Sequence, residues 1–179
     1  IIKIDNYNVL ANVSGKDITL NMNYKKISVD HQSTTDRIYA VVYVADGAGL
    51  TVTGNGTIDV DADDTTPKVA YMFWKRGTTG HLTIENGSYH MDNSEDSMVY
   101  SNGDDIVIVK GGTFILDKVG TGANNGFPWI FNATGANDKS IKVIGGTYNY
   151  DIRTQYWSLE VNVPNGYTVI DNGNETYSV

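Results

Sequence analysis

The segment Ile106-Val-Ile-Val-Lys-Gly-Gly-Thr-Phe114 has close copies elsewhere in the 179-residue chain. The clear copies are Leu50-Thr-Val-Thr-Gly-Asn-Gly-Thr-Ile58, Leu82-Thr-Ile-Glu-Asn-Gly-Ser-Tyr89 and Ile141-Lys-Val-Ile-Gly-Gly-Thr-Tyr148, and weaker ones lie at Ile18–Ile27 and Tyr167–Tyr177. In the four clear members, the glycine before the Thr or Ser recurs after 31, 25 and 34 residues. A period in the range of about 20–50 residues is typical of solenoids, in which each unit stacks on its neighbours.

A second marker keeps the same period. Apolar runs lead into Asp46-Gly47, into Arg76-Gly77 and into Asn102-Gly103, and a further run ends near Gly135. These glycines lie 30, 26 and 32 residues apart. Because two independent markers share one period, the repeat argues against a chance alignment of the copies.

Each repeat unit contains three short apolar stretches separated by corners. In Leu82-Thr-Ile-Glu, successive side chains face opposite sides, as they do in a β-strand. The Gly-Gly or Asn-Gly pair that follows supplies the positive φ of a sharp corner. The composition agrees, because 52 residues are Val, Ile or Thr, whereas only 6 are Leu and 9 are Ala.

Stacked units of this kind predict an all-β fold, a single-stranded right-handed parallel β-helix (solenoid) of about five to six coils. The right hand follows from the preferred crossover of parallel strands, and residues 1–179 are expected to form one domain. An antiparallel sandwich is the alternative, since Asn-Gly also favours hairpins. Hairpin partners have no reason to resemble one another at a fixed period, so the solenoid is favoured.

Charge and residue counts exclude several classes of protein. The net charge is −8 and the longest basic runs are two residues, which excludes a nucleic-acid partner. Cysteine is absent, which excludes disulfides and thiol chemistry. No apolar run reaches the ~20 residues of a membrane-spanning helix.

The chain opens on Ile1 and ends on strand-like Thr176–Val179. We therefore expect it to be part of a longer chain or assembly, in which the open coil edge pairs with another chain.

Two sets of residues carry a resemblance to known families. The run Val44–Ile58 resembles the pectate-lyase-like right-handed parallel β-helix superfamily. Lys110–Phe114, Gly145–Tyr148, Val163–Tyr167 and Thr176–Val179 are similar to β-helix modules of tailed-phage virion proteins, such as head fibres, capsid-associated proteins and tail spikes.

The resemblance implies a non-catalytic structural or attachment module on a virion. It further implies a homo-oligomer, or a module bound to other virion or surface proteins, with surface glycans as candidate ligands. The alternative is a polysaccharide-binding or polysaccharide-cleaving β-helix, a hydrolase or lyase, of a bacterial surface or secreted protein. Coil motifs of this kind specify the fold better than the function.

The candidate catalytic residues are acidic. Asp104 and Asp105, with Asp92 before them, resemble the carboxylate pair with which the polygalacturonase branch hydrolyses sugar bonds. The accompanying Asn-Thr-Asp, Gly-His-Gly and Arg-Ile-Lys motifs of that branch are absent. Since Asp is also favoured in turns, we interpret Asp104 and Asp105 as turn residues. Whether the protein is an enzyme is left open, with the non-enzymatic interpretation preferred.

The densest acidic stretch is a candidate metal site. Alternation places Asp59, Asp61 and Asp63 on one face, where their oxygens would suit Ca²⁺. A solvated acidic loop before Pro67 explains the same residues and is preferred. No cofactor is therefore expected, with Ca²⁺ as the one candidate.

Aromatic runs recur at one strand of successive coils. They are Tyr71-Met-Phe-Trp74, Phe127-Pro-Trp-Ile-Phe131 and Tyr156-Trp157. Alternation predicts that Phe73, Trp129 and Phe131 stack in the core. Opposite-face members such as Trp74 and Tyr156 are predicted to face outward. The candidates for stacking on sugar rings are Trp74, Tyr156 and Trp157.

Overall fold

A computed structural model describes residues 8–63, 68–103, 106–117, 129–133, 141–154 and 161–179. The chain forms eighteen short strands in these ranges and one 3-10 turn, Ile152–Thr154. The strands are β1 (Val9–Val13), β2 (Asp17–Asn21), β3 (Lys26–His31), β4 (Ile38–Val44), β5 (Gly49–Thr53), β6 (Thr57–Ala62), β7 (Val69–Lys75), β8 (His81–Ile84), β9 (Ser88–Asp92), β10 (Ser97–Ser101), β11 (Val107–Val109), β12 (Thr113–Leu116), β13 (Trp129–Ala133), β14 (Ile141–Val143), β15 (Thr147–Tyr148), β16 (Val161–Asn162), β17 (Ile170–Asp171) and β18 (Tyr177–Ser178).

Every third strand belongs to the same sheet, so three strands make one coil. Sheet A runs β1-β4-β7-β10-β13, sheet B runs β2-β5-β8-β11-β14-β16, and sheet C begins β3-β6-β9-β12-β15. All neighbours in these runs pair in parallel. The predicted parallel β-solenoid is confirmed and the antiparallel sandwich is wrong. The five strands of sheet A are joined by about four full turns, slightly fewer than predicted, and the right hand of the coil stays a prediction.

Inward side chains stack in register from coil to coil. Leu50, Leu82, Val107 and Ile141 occupy one position of sheet B and are almost fully buried. Full burial of such a side chain contributes about 1.5–3 kcal/mol. This repetition explains the β-branched composition, because short branched side chains fill the narrow interior of each coil.

An aromatic stack continues the core along sheet C. The rings of Tyr89 and Phe114 lie 4.8 Å apart, and those of Phe114 and Tyr148 lie 5.3 Å apart. Both tyrosine hydroxyls stay bonded despite burial, since Tyr89 donates to the Asn86 carbonyl at 2.5 Å and Tyr148 to the Gly145 carbonyl at 2.6 Å. The stack therefore ties the corner glycines to the core.

The C-terminal end departs from the repeat. β18 pairs antiparallel with both β15 and β17, so this segment folds back over the end of sheet C rather than adding a further parallel strand. Gly173, at φ +74°, lies in the reversing turn, where its N–H donates to Asp171 Oδ1 at 2.8 Å. Within the described ranges, no helix is long and apolar enough to cross a bilayer.

A corner glycine tests this packing. Gly146 has φ +116°, and a Cβ there would lie 2.5 Å from the Tyr148 hydroxyl. Gly146→Ala should lower the free energy of unfolding by about 1–2 kcal/mol through backbone strain and by about 1–3 kcal/mol more through overpacking. Urea unfolding measures the change.

Gly166→Ala is the matched control for this prediction. Gly166 also has a positive φ, +96°, but a Cβ there meets nothing within 4 Å. Gly166→Ala should therefore lower the free energy of unfolding only by the strain contribution of about 1–2 kcal/mol. Equal losses in the two variants would contradict the packing of Tyr148 against its corner.

Candidate functional site

Strand β7 of sheet A has two consecutive inward residues, and we call this break in alternation the bend of sheet A. Met72 and Phe73 are consecutive, yet both pack in the main core. The flanking Tyr71 and Trp74 instead pack in a second cluster with Tyr43. Two consecutive inward residues interrupt the alternation, so the residues on both sides of the bend lie on the outside. Trp74 thus lies on the outer side of sheet A, where alternation from Phe73 predicts it.

The bend also bears on the position of Trp129. Phe73 and Phe131 do pack in the main core. Trp129 is buried, but it aligns with Ser97, which in turn aligns with Tyr71 of the outer cluster. Trp129 therefore lies in line with Tyr71 and outside the main cluster that holds Phe73 and Phe131.

Trp74 lies at the centre of an outer aromatic cluster. We use this name for Tyr39, Tyr43, Tyr71, Trp74 and Tyr100. The Trp74 ring lies 5.1 Å from Tyr43 in an edge-on arrangement and 5.7 Å from Tyr71. Tyr71 stacks on Tyr100 at 4.5 Å. Such aromatic pairs hold one another in place, so the cluster presents rings in fixed orientations.

A cleft of about 800 Å³ opens beside Trp74. We call it the Trp74 cleft, and its lining consists of Tyr43, Ala45, Asp46, Trp74, Arg76, Gly77 and Asn102. The Trp74 Nε1–H donates to Asn102 Oδ1 at 2.6 Å, which fixes the indole against the wall. The cleft thus combines aromatic surface with a carboxylate, an amide and a guanidinium, within the size range of small-ligand sites.

Hydrogen bonds hold Asp46 in place at the cleft. Its Oδ1 accepts from the Thr79 hydroxyl at 2.7 Å and from the Thr79 backbone N–H at 2.9 Å. These bonds hold the pKa of Asp46 below its usual value, so the side chain is a carboxylate down to acidic pH. Asp46 can therefore accept hydrogen bonds from a ligand over a wide pH range.

Lys75 supports the same corner from inside. The residue is fully buried, and its Nζ donates to three backbone carbonyls: Ala45 at 3.0 Å, Arg76 at 2.7 Å and Thr79 at 2.8 Å. Burial lowers the pKa of Lys75, while the neighbouring Asp46 charge partly opposes this effect. A buried ammonium is tolerated here because all three protons are bonded.

A polar group lies beside the aromatic cluster. Asp96 accepts from the Tyr71 hydroxyl at 3.3 Å and from the Asn132 amide at 2.7 Å. Burial, followed by the Asp96 charge, raises the pKa of Tyr71. The Arg37 guanidinium lies 4.4 Å from the centre of the Tyr39 ring. Polar and charged side chains thus contact the rings of the outer aromatic cluster at Tyr71 and Tyr39.

The acidic candidates lie on a different face. Asp59 and Asp61 point outward from sheet C, as alternation predicts. Asp59 Oδ2 pairs with Lys26 at 2.5 Å, and its Oδ1 lies 2.6 Å from His90 Nδ1. Among the residues that the structure describes, no three His, Asp or Glu side chains are arranged to hold a metal ion. Ca²⁺ binding at Asp59, Asp61 and Asp63 stays a prediction.

Of the remaining candidates, Asp92 does not line the Trp74 cleft. Asp92 ends a strand of sheet C and aligns with Asp61. Four candidates lie outside the described residues: Asp104, Asp105, Tyr156 and Trp157.

The polar residues of the cleft were missed as site residues, although a signal for them exists. Asp46, Arg76 and Asn102 each precede a corner glycine that marks the period of the coil. Because successive coils stack, residues at one position of the period meet at one corner. The polar residues that precede the periodic glycines, and not only the glycines themselves, therefore indicate the position of the cleft.

A second cleft, of about 520 Å³, lies next to the C-terminal hairpin. Its lining includes Tyr150 and Tyr177 with the acidic Asp151 and Glu175. Arg153 binds the Asp151 carboxylate through Nε and a terminal nitrogen. We treat this cleft as the internal comparison for the Trp74 cleft.

Comparisons with protein-family models, curated proteins and solved structures return no match.

Lys75 provides a test of the cleft's support. Lys75→Met should lower the free energy of unfolding by about 2 kcal/mol, because three backbone carbonyls lose their charged donor. Lys16→Met, at an exposed lysine, is the control and should change it by no more than about 0.5 kcal/mol. Similar values for the two variants would show that the Lys75 bonds do not hold this corner.

His90 predicts a pH dependence of stability. Its Nε2 lies 2.7 Å from Asp117 Oδ2, opposite the contact with Asp59. Partial burial alone would lower the pKa of His90, but the hydrogen bonds and charges of Asp59 and Asp117 outweigh it and raise the pKa. Hydrogen bonds from Lys26 and then from His90 lower the pKa of Asp59.

The signs of these shifts define a pH window. The His90 contribution is complete below the ordinary pKa of 6.5 and is lost as pH rises through the raised value. The Asp59 contribution is complete above 3.8 and is lost as pH falls through the lowered value. The unfolding free energy of wild type should therefore exceed that of His90→Gln most strongly between pH 3.8 and pH 6.5. Urea unfolding midpoints measured across pH test this prediction. A constant difference between the midpoints of wild type and His90→Gln at every pH would refute it.

Proposed function

We propose that this protein is a non-catalytic attachment module that binds glycans through the Trp74 cleft. The observation that carries the proposal is the composition of the cleft, in which Trp74 and Tyr43 lie beside Asp46, Arg76 and Asn102. A sugar ring has apolar faces formed by C–H groups and a rim of hydroxyls. Aromatic rings suit the faces, and planar polar side chains suit the rim.

The solenoid favours this use of its outer surface. Its interior is filled by stacked side chains, so a ligand has access only to the outside. The parallel coils hold the cleft residues on a rigid frame, which lowers the entropic cost of binding. Attachment needs such a rigid binding face and no reacting group.

The non-catalytic part of the proposal rests on the sequence, which lacks the motifs that accompany the polygalacturonase carboxylates. A turnover screen on polysaccharides tests it, with new reducing ends or unsaturated products as the readout. No product is expected. Product that disappears in Asp104→Ala would instead establish a hydrolase or lyase.

The proposed setting is a virion, as part of a homo-oligomer or bound to other virion proteins. Its support is the resemblance of Lys110–Phe114 and Gly145–Tyr148 to β-helix modules of tailed phages. A bacterial surface is the alternative setting. Light scattering of the natural full-length protein should give a mass above that of one chain, and the mass of a single chain would contradict the oligomer.

Glycan-array binding tests the proposed function directly. Wild type should bind at least one glycan class, and Trp74→Ala should lose that binding. Arg76→Ala is the second variant, because its exposed side chain can be removed without disturbing the core. It should weaken binding about tenfold, equivalent to 1.4 kcal/mol.

Tyr150→Ala is the matched control, since Tyr150 is a half-exposed aromatic residue in the second cleft. It should bind like wild type. Binding that survives in Trp74→Ala and Arg76→Ala but is lost in Tyr150→Ala would overturn the assignment to the Trp74 cleft. Absence of binding to any glycan would overturn the proposed function itself.

A further inference from the structure

The Trp74 cleft extends across three successive coils. Tyr43 of β4 aligns with Trp74 of β7, and the Asn102 backbone N–H, just after β10, donates to the Lys75 carbonyl at 3.0 Å. Since neighbouring strands are about 4.8 Å apart, two steps cover about 10 Å along the solenoid axis. That distance exceeds one sugar ring and matches a short oligosaccharide lying parallel to the axis.

The charges that line the cleft balance. Asp46 supplies one negative charge and Arg76 one positive charge, while Asn102 is neutral. The Lys75 ammonium beneath the corner is committed to three backbone carbonyls and presents no donor to the cleft. A carboxylate and a guanidinium in one cleft offer both acceptors and donors, as an uncharged polyhydroxylated ligand requires.

The rest of the protein disfavours an acidic ligand. The chain carries a net charge of −8. A polyanion that approaches the protein is repelled over a Debye length, about 8–10 Å at physiological salt. The single Arg76 charge, which shares the cleft with Asp46, does not form a positive surface that would overcome this repulsion.

We propose that the Trp74 cleft binds an uncharged oligosaccharide, more than one sugar ring long, that lies along the solenoid axis. The proposal rests on the glycan-binding function above and specifies its ligand. Trp74 stacks on one ring, and Asp46 of the preceding coil accepts from hydroxyls of the next ring. Asn102 of the following coil, which accepts from Trp74 Nε1 and donates to the Tyr100 hydroxyl at 3.2 Å, borders the other end of the ligand. The pKa of Asp46 keeps it an acceptor, so binding should persist at mildly acidic pH.

Isothermal titration with two ligand series tests this proposal. One series contains neutral gluco-oligosaccharides and manno-oligosaccharides from monosaccharide to tetrasaccharide. The other contains uronic-acid oligosaccharides of the same lengths. Each series is titrated into wild type, Asp46→Asn and Arg76→Ala, at about 0.05 M and about 0.5 M NaCl, where the Debye length falls several-fold.

The expected result is binding of the neutral series. Affinity should rise about tenfold or more from monosaccharide to trisaccharide and then level off. It should change less than about twofold with salt, because no net charge is neutralised. Asp46→Asn and Arg76→Ala should both weaken binding, since each removes a partner of a hydroxyl.

The opposite pattern would overturn the inference and leave the proposed function intact. Preference for uronic-acid oligosaccharides, with affinity lost at high salt and improved in Asp46→Asn, would identify an acidic ligand. Equal affinity for monosaccharide and trisaccharide would overturn the axial arrangement. Failure of every sugar in both series, together with an empty glycan array, would count against the proposed function instead.

Discussion

Backbone hydrogen bonding between successive coils is the constraint on which the rest of this structure depends. A strand in a parallel sheet is stable only when its neighbours supply the matching donors and acceptors. Each coil must therefore return to the same position after about 31 residues. That return brings residues distant in sequence into contact, such as His90 with Asp59 and Thr79 with Asp46. The contacts of His90 with Asp59 and Asp117 on sheet C and the corner beside Trp74 both follow from this one requirement.

The corners of the coil are where chemistry is available. Inward positions are occupied by stacked apolar side chains, and exposed positions in the middle of a sheet have close neighbours on both sides. At the corner after sheet A, by contrast, the chain turns at Gly47 and Gly77, both with positive φ, and leaves room for a cleft. The buried Lys75 holds that corner together, so the feature that stabilises the turn also positions Asp46.

Periodicity and alternation were enough to predict the coil, its parallel pairing, the inward Leu82 and Ile141, and the outward position of Trp74. They were not enough for the bend of sheet A, because consecutive inward residues such as Met72 and Phe73 look like any apolar run. Burial of Lys75 contradicts the usual exposure of lysine. It depends on the carbonyls of Arg76 and Thr79 in its own corner and of Ala45 in the preceding coil. The C-terminal reversal escaped prediction because Tyr177 fits either strand direction, and only the pairing with Tyr148 decides it.

The most direct test of the account is the distance between spin labels along one register row of sheet B. Thr19, Thr51, Thr83, Ile108 and Lys142 align in successive strands. The chain has no cysteine, so no native residue has to be replaced before labelling. Two double-cysteine variants suffice, one at Thr19 and Lys142 and the other at Thr19 and Ile108. Pulsed electron paramagnetic resonance should give label distances that correspond to backbone separations of about 19 Å for the Thr19–Lys142 pair and about 14 Å for the Thr19–Ile108 pair. The two separations differ by one strand spacing. Separations that do not grow by one spacing per coil would contradict parallel stacking and the cleft built on it.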